Sequence, residues 1–202
     1  ASEVDTGQAK DVAATPPLTV PETGRFGSCG HAADRLSCQT PEPTCRQPGD
    51  IALLIGIDPR LNAEVLYVLR SMGHGDAVVL CDLNFPAASI AEETVHGELL
   101  RMENLTVGEA AAAVLSVLPL DSFAEDRAGR MQMDGLPDRL PPVQAEIQAA
   151  VDAAWGRHEP LTGLGRFEFY FFAKQAYAVI QTGERRFWGC AFLRKGVLPP
   201  DA

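Results

Sequence analysis

Residues 77–81 read AVVLC, five apolar or small positions without a polar break. A strand with one wet face alternates apolar and polar residues. An unbroken run asks for cover on both faces, as the strands of parallel sheets have. Covering helices are readable in the neighbouring sequence. TVGEAAAAVLSVL (106–118) reads as a helix capped by Thr106, with Glu109 as its box partner. PPVQAEIQAAVDAAWGRH (141–158) reads as an amphipathic helix with proline at its start. In 58–73, Asp58 is the expected N-cap and Pro59 the first helical position. Leu61, Val65, Leu66 and Leu69 share one face of that helix, and Gly73 ends it. RFEFYFFAKQA, from Arg166, reads as a further helix. IALLIGI (51–57), TVHGEL (94–99), a segment near Met131, AYAVIQTG (176–183) and GCAFLRKG (189–196) are the expected further strands. Strands alternating with helices define the α/β class. The expected architecture is a three-layer fold with a mostly parallel sheet flanked by helices.

The chain has 202 residues, 46% of them hydrophobic, enough for one full core. Residues 1–50 differ in character: ATPPLTVPETG and CQTPEPTCRQPGD are rich in Pro, Thr and Gly and lack a periodic apolar face. The expectation is a poorly ordered extension over 1–50 and a single domain over 51–202. The net charge of −10 argues against a nucleic-acid surface and favours a neutral ligand. Neither a membrane span nor a secretory signal is readable, so the expected setting is cytoplasmic. Five cysteines are present. Cys81 and Cys190 lie in apolar runs and read as small hydrophobes. Cys29, His31, Cys38 and Cys45 match no common zinc spacing, so no metal is expected.

Several polar residues sit where an α/β sheet binds ligands. Asp82 directly follows the AVVLC strand, and the crevice beyond the carboxyl ends of parallel strands is the usual ligand site. A carboxylate there accepts hydroxyls; the plainer reading is a cap for a helix after NFP. His74 stands between two glycines ahead of the strand. Imidazole gives and takes a proton near neutral pH, whereas the plainer reading is a loop histidine bonded to backbone. Asp76 reads as a turn residue. In RFEFYFFAKQAY (166–177), Arg166 and Tyr170 supply polar ends suited to a sugar, while the phenylalanines read as core. Trp188 offers a stacking face for a pyranose or a core side chain.

Taken together, GHGD, CDLNFP, RFEFY..AK.AYAV..TGE and WGC.FLRKGV, in that order from about residue 55 to 197, resemble the D-ribose pyranase / L-fucose mutarotase family. GHGD, FP and RFxFY are similar to its fucose mutarotase branch. The resemblance implies an α/β sugar mutarotase without cofactors that assembles into a ring, often a decamer. It implies His74 as proton donor and Asp82 and Arg166 as sugar contacts. A Tyr-Gly-Asn triplet in that family corresponds to Trp188, Gly189 and Cys190 here. Phe171 and Phe172 stand where relatives carry a polar pair. These changes imply a drier pocket, each lost polar contact being worth roughly 1–3 kcal/mol if its partner stays buried.

Mutarotation takes a proton from the anomeric hydroxyl and gives one to the ring oxygen. His74 is the expected acid; the base is a water or Tyr170. Eight residues separate His74 from Asp82, up to about 26 Å when extended. Either the GHGD loop folds back or neighbouring subunits share one site, and ring assembly favours sharing. The competing readings are a non-catalytic sugar-binding or regulatory protein on the same scaffold and a D-ribose pyranase.

Overall fold

The computed structural model describes residues 54–200. The 1–50 extension, with Cys29, His31, Cys38 and Cys45, lies outside the described residues, as do residues 51–53 of the first expected strand. The described part of that run, Leu54 to Ile57, is turn rather than strand.

The first helix, α1 (Ala63–Ser71), begins later than the Asp-Pro signature suggests. Its N-cap is Asn62, whose Oδ1 accepts from Val65 N–H at 2.9 Å. Asp58 is engaged elsewhere, accepting from the Arg60 backbone and guanidinium. The helix ends at Met72 rather than Gly73. Lys195 Nζ donates to the carbonyls of Leu69 and Met72 there, satisfying acceptors that the helix itself leaves open.

Next come β1 (Ala77–Cys81), α2 (Ala87–Ala91), β2 (Leu99–Met102), α3 (Val107–Leu115), β3 (Ala128–Met131) and α4 (Pro142–Trp155). Then follow β4 (Thr162–Leu164), α5 (Arg166–Lys174), β5 (Ala178–Thr182) and β6 (Ala191–Arg194). The Thr106–Glu109 capping box forms as expected. TVHGEL is only partly a strand. Val95 and His96 donate to Ala176 and Tyr177 beside β5, but the regular ladder starts at Leu99.

The sheet has six strands in the order β2-β5-β1-β6-β3-β4. All run parallel to β1 except β6, which is antiparallel to its neighbours β1 and β3. Every residue of β1 is buried, as its unbroken apolar run requires. Alternation along the strands divides two cores. Val78, Leu80, Ala178, Ile180 and Leu193 face α1, α3 and α4, joined by Val65, Val114 and Ile147. Val79, Cys81, Val179 and Phe192 face α2 and α5, joined by Ile90, Phe169 and Ala173. This is the three-layer α/β arrangement with a mostly parallel sheet.

Ile147 of α4 is fully buried in the larger core. Ile147→Ala should cost about 2–5 kcal/mol of unfolding free energy in urea titration, and Ile147→Val about 0.5–1.5. Equal small losses for both would mean that α4 is loosely packed.

Candidate functional site

The carboxyl ends of β1, β3 and β4 open at one edge of the sheet, next to the start of β6. Asp82 follows β1, Met131 ends β3, Arg166 opens α5 after β4, and Trp188, Gly189 and Cys190 lead into β6. They enclose a cavity of about 370 Å³ lined by Asp82, Arg166, Tyr170, Trp188 and Cys190, together with Asn84, Phe85, Met131 and Phe187. That volume lies at the small end of ligand pockets. The last four lining residues were not anticipated from sequence. Of these, Asn84 and Phe85 lie within the CDLNFP motif, the signal that marks them.

Asp82 anchors this cavity. Only 3% of it is exposed. Its Oδ1 accepts from Asn84 N–H at 2.9 Å, and its Oδ2 accepts from Gly189 N–H at 3.0 Å and from the Cys190 thiol at 3.7 Å. It caps no helix: α2 starts at Ala87 with no side-chain cap. A carboxylate has about four acceptor sites, so capacity remains for ligand hydroxyls. Gly189 is required for this contact. A Cβ there would lie 2.9 Å from Glu184 Cγ and 3.3 Å from Asp82 Cβ. Burial, reinforced by the Asp82 charge, pushes the Cys190 thiol up, so it stays protonated and donates weakly. Cys81 is likewise raised by burial, and both cysteines pack as small hydrophobes.

Tyr170 packs edge-on to Phe85, with ring centroids 5.3 Å apart. Burial raises its phenol above the ordinary value, outweighing the nearby Arg166 charge. A phenol that holds its proton more tightly suits donation better than general-base work. Arg166 NH2 pairs with Asp134 Oδ2 at 3.0 Å and remains partly exposed. Trp188 has φ +69°, an unfavourable left-handed conformation for a bulky residue, costing roughly 1–3 kcal/mol. The loop before it is clamped. Arg186 donates both terminal nitrogens to Glu146 of α4 at 2.7 Å each, and also binds the buried Glu184. Phe171 and Phe172 do not line the cavity. Phe172 packs against Phe192 at 4.2 Å and Phe171 is exposed, because helix spacing turns them away from Tyr170. The dryness expected from those two residues is therefore not a property of the cavity.

His74 lies at the opposite edge, ahead of β1, and does not line the cavity. Its loop does not fold back. Gly75 N–H donates to the Lys195 carbonyl at 2.8 Å, Arg194 NH1 donates to the Gly75 carbonyl at 2.9 Å, and Asp76 accepts from Gly73 N–H at 2.6 Å. Gly75 has φ +84°, which glycine adopts without strain. Asp76 thus holds the turn. The partner of the imidazole is Asp121, 47 positions away, with Nε2 3.1 Å from its carboxylate. No spacing in the sequence announces this pair. The Phe123 ring stands edge-on to His74 at 5.8 Å. Asp121 is buried, which acts to raise its pKa. The Phe123 N–H and His74 outweigh that and hold the carboxyl below its ordinary value. With Nε2 engaged, Nδ1 is the ring atom left to meet a ligand.

Fold and site together define an α/β protein with a small-ligand pocket beyond the carboxyl ends of its parallel strands. A model of the RbsD / FucU transport protein family matches residues 55–198. The chain is 42% identical over 149 residues to the fucose mutarotase of Homo sapiens, a match spanning 72% of this chain and 94% of that protein. Among solved structures, Atu2016 is 52% identical with a TM-score of 0.72, covering 74% of this chain and 99% of that one. The fucose mutarotase of Streptococcus pneumoniae, solved in complex with L-fucose, is 30% identical with a TM-score of 0.65, covering 72% of this chain and 100% of that one. The chain belongs to the RbsD/FucU family.

Because the folded Asp121 carboxyl titrates below its ordinary 3.8, its ionised contacts contribute stability that is complete above that value. The contribution is lost as pH falls through the lower folded value. The urea stability of the native protein should exceed that of Asp121→Asn most at neutral pH, with the gap narrowing below about pH 4. A gap independent of pH would exclude an ionised role.

Proposed function

We propose that the protein is an aldose mutarotase that interconverts the α and β anomers of L-fucose or a similar neutral monosaccharide. The reading is carried by one arrangement: a buried, backbone-anchored carboxylate faces a small cavity beside a guanidinium, a protonated phenol and an indole. Asp82, Arg166 and Tyr170 hold hydroxyls there, and Trp188 offers its face to the C–H surface of the ring. Cys190 completes the wall, and Gly189 behind it donates its N–H to Asp82. Relatives named fucose mutarotase, 36–42% identical over most of their length, support the substrate class.

The chemistry is proton transfer alone. A base removes the O1 proton, the C1–O5 bond breaks with its electron pair passing to O5, and an acid protonates O5. Rotation about C1–C2 and the reverse steps close the ring on the other face. No cofactor or metal takes part in these steps. His74 Nδ1 is the acid in our reading. With Nε2 bonded to Asp121, the same atom is an acceptor when the ring is neutral, so His74 takes protons as well as gives them. Water is the second exchanging partner; the raised Tyr170 phenol is a donor.

His74 and the Asp82 cavity lie at opposite ends of β1, about 16 Å of strand apart. We therefore assign the working site to two copies of the chain, His74 of one reaching the cavity of the next. Phe123 beside His74 and Phe187 at the cavity rim are 75% and 71% exposed, apolar surface suited to such a contact. A homo-oligomeric ring, a decamer in the fullest form of this reading, and a cytoplasmic setting belong to the same proposal.

Anomer exchange followed by saturation-transfer NMR with L-fucose, D-ribose and neutral hexoses tests the assignment. The native protein should accelerate L-fucose exchange over the spontaneous rate, and His74→Ala should lose about 100-fold or more of it. A folded, sugar-binding oligomer that accelerates nothing would instead be a non-catalytic sugar-binding protein. Acceleration confined to D-ribose would make it a pyranase.

A further inference from the structure

Gln144 is the third residue of α4, and none of it is exposed. All the hydrogen-bonding groups of its side chain are engaged. Nε2 donates to the Met131 carbonyl at 2.7 Å and to the Trp188 carbonyl at 2.8 Å. Oε1 accepts from Arg130 NH1 at 3.0 Å. Arg130 is itself 8% exposed, and its NH2 donates to the Pro137 carbonyl at 2.8 Å. The guanidinium thereby fixes which end of the amide is oxygen: Oε1 must face Arg130, so both N–H groups must face the two carbonyls.

Those carbonyls belong to two walls of the cavity. Met131 ends β3, and Trp188 is the residue held at φ +69°. A bulky side chain persists in that conformation only where its surroundings over-determine it. The bond from Gln144 is a side-chain tie made to the Trp188 peptide itself. The Arg186–Glu146 pair holds the same loop two residues earlier and by separate atoms. Loss of the Gln144 tie should therefore leave the loop docked while freeing the Trp188 peptide to leave the left-handed region and turn its indole.

We propose that Gln144, oriented by Arg130, is a positioning residue that sets the Trp188 indole over the bound sugar and thereby tunes sugar affinity. The inference rests on the sugar site assigned above. It concerns ground-state fit rather than proton transfer, which belongs to His74.

Two substitutions of similar volume separate positioning from packing. Gln144→Glu keeps an acceptor for Arg130, and so the buried guanidinium stays partnered, but presents no N–H to the carbonyls at neutral pH. Gln144→Met removes every bond. For both, the L-fucose exchange rate measured against sugar concentration should give a KM raised by about tenfold, with kcat changed less than about threefold, as expected for lost uniform binding. In a Trp155→Phe background, where Trp188 is the sole tryptophan, its emission should shift in both variants before any sugar is added. In the native chain with labelled glutamine side chains, the Gln144 amide protons should exchange slowly with solvent and shift on L-fucose titration. This last measurement holds if neither variant folds. Variants that fold with native KM and native Trp188 emission would overturn the proposal, as would a Gln144 amide signal indifferent to L-fucose that shifts other side chains. A native protein that neither binds nor exchanges L-fucose would instead remove the sugar site, a separate outcome from native-like variants of an active enzyme.

Discussion

The arrangement turns on one buried carboxylate. A charge taken out of water is costly unless its acceptor sites are filled. Asp82 meets that demand with the backbone N–H groups of Asn84, just after β1, and Gly189, just before the neighbouring β6. The Asn84 bond is local and orients the carboxylate; the Gly189 bond stitches the end of β1 to the loop entering β6, beside Trp188 and Cys190. The Cys190 thiol adds only a weak further donor, because the strong donors to Asp82 are backbone. The site thereby tolerates the WGC triplet without losing the position of its carboxylate.

Both ends of β1 are rigid, each for a different reason. At the carboxyl edge, Arg186 and Gln144 hold the β5–β6 loop against α4. At the amino edge, Lys195, Arg194 and Asp121 pin the GHGD loop from three directions. These bonds hold the two edges at opposite ends of β1. Under the proposed assignment, the imidazole and the carboxylate that one pyranose touches come from different molecules, which makes association of copies a condition of activity.

The parts of the fold legible in the sequence were those written in local patterns. The AVVLC run, the Thr106–Glu109 box and the proline-led α4 each carry their physical cause within a few residues. The Asp58-Pro59 pair carried an equally strong local signal, but Asn62 caps α1 while Arg60 engages Asp58. β4 is only Thr162–Leu164, too short and too rich in glycine to show a period. In the site, the cavity residues Asp82, Arg166, Tyr170, Trp188 and Cys190, with Gly189 beside them, were reachable from strand ends and family motifs. Asp121 and Gln144 were not: one pairs across 47 positions, and the other bonds carbonyls 13 and 44 positions away that no local pattern announces.

The central claim is that His74 of one copy serves the Asp82 cavity of another. Mixed oligomers of His74→Ala and Asp82→Asn test it most directly. Each variant alone should be inactive in L-fucose anomer exchange. Co-expressed in equal amounts, they should recover activity in about a quarter of the shared sites, those that draw His74 from one variant and Asp82 from the other. Mixed oligomers as inactive as either parent, with subunit mixing verified by mass, would contradict the account and return both residues to a single copy.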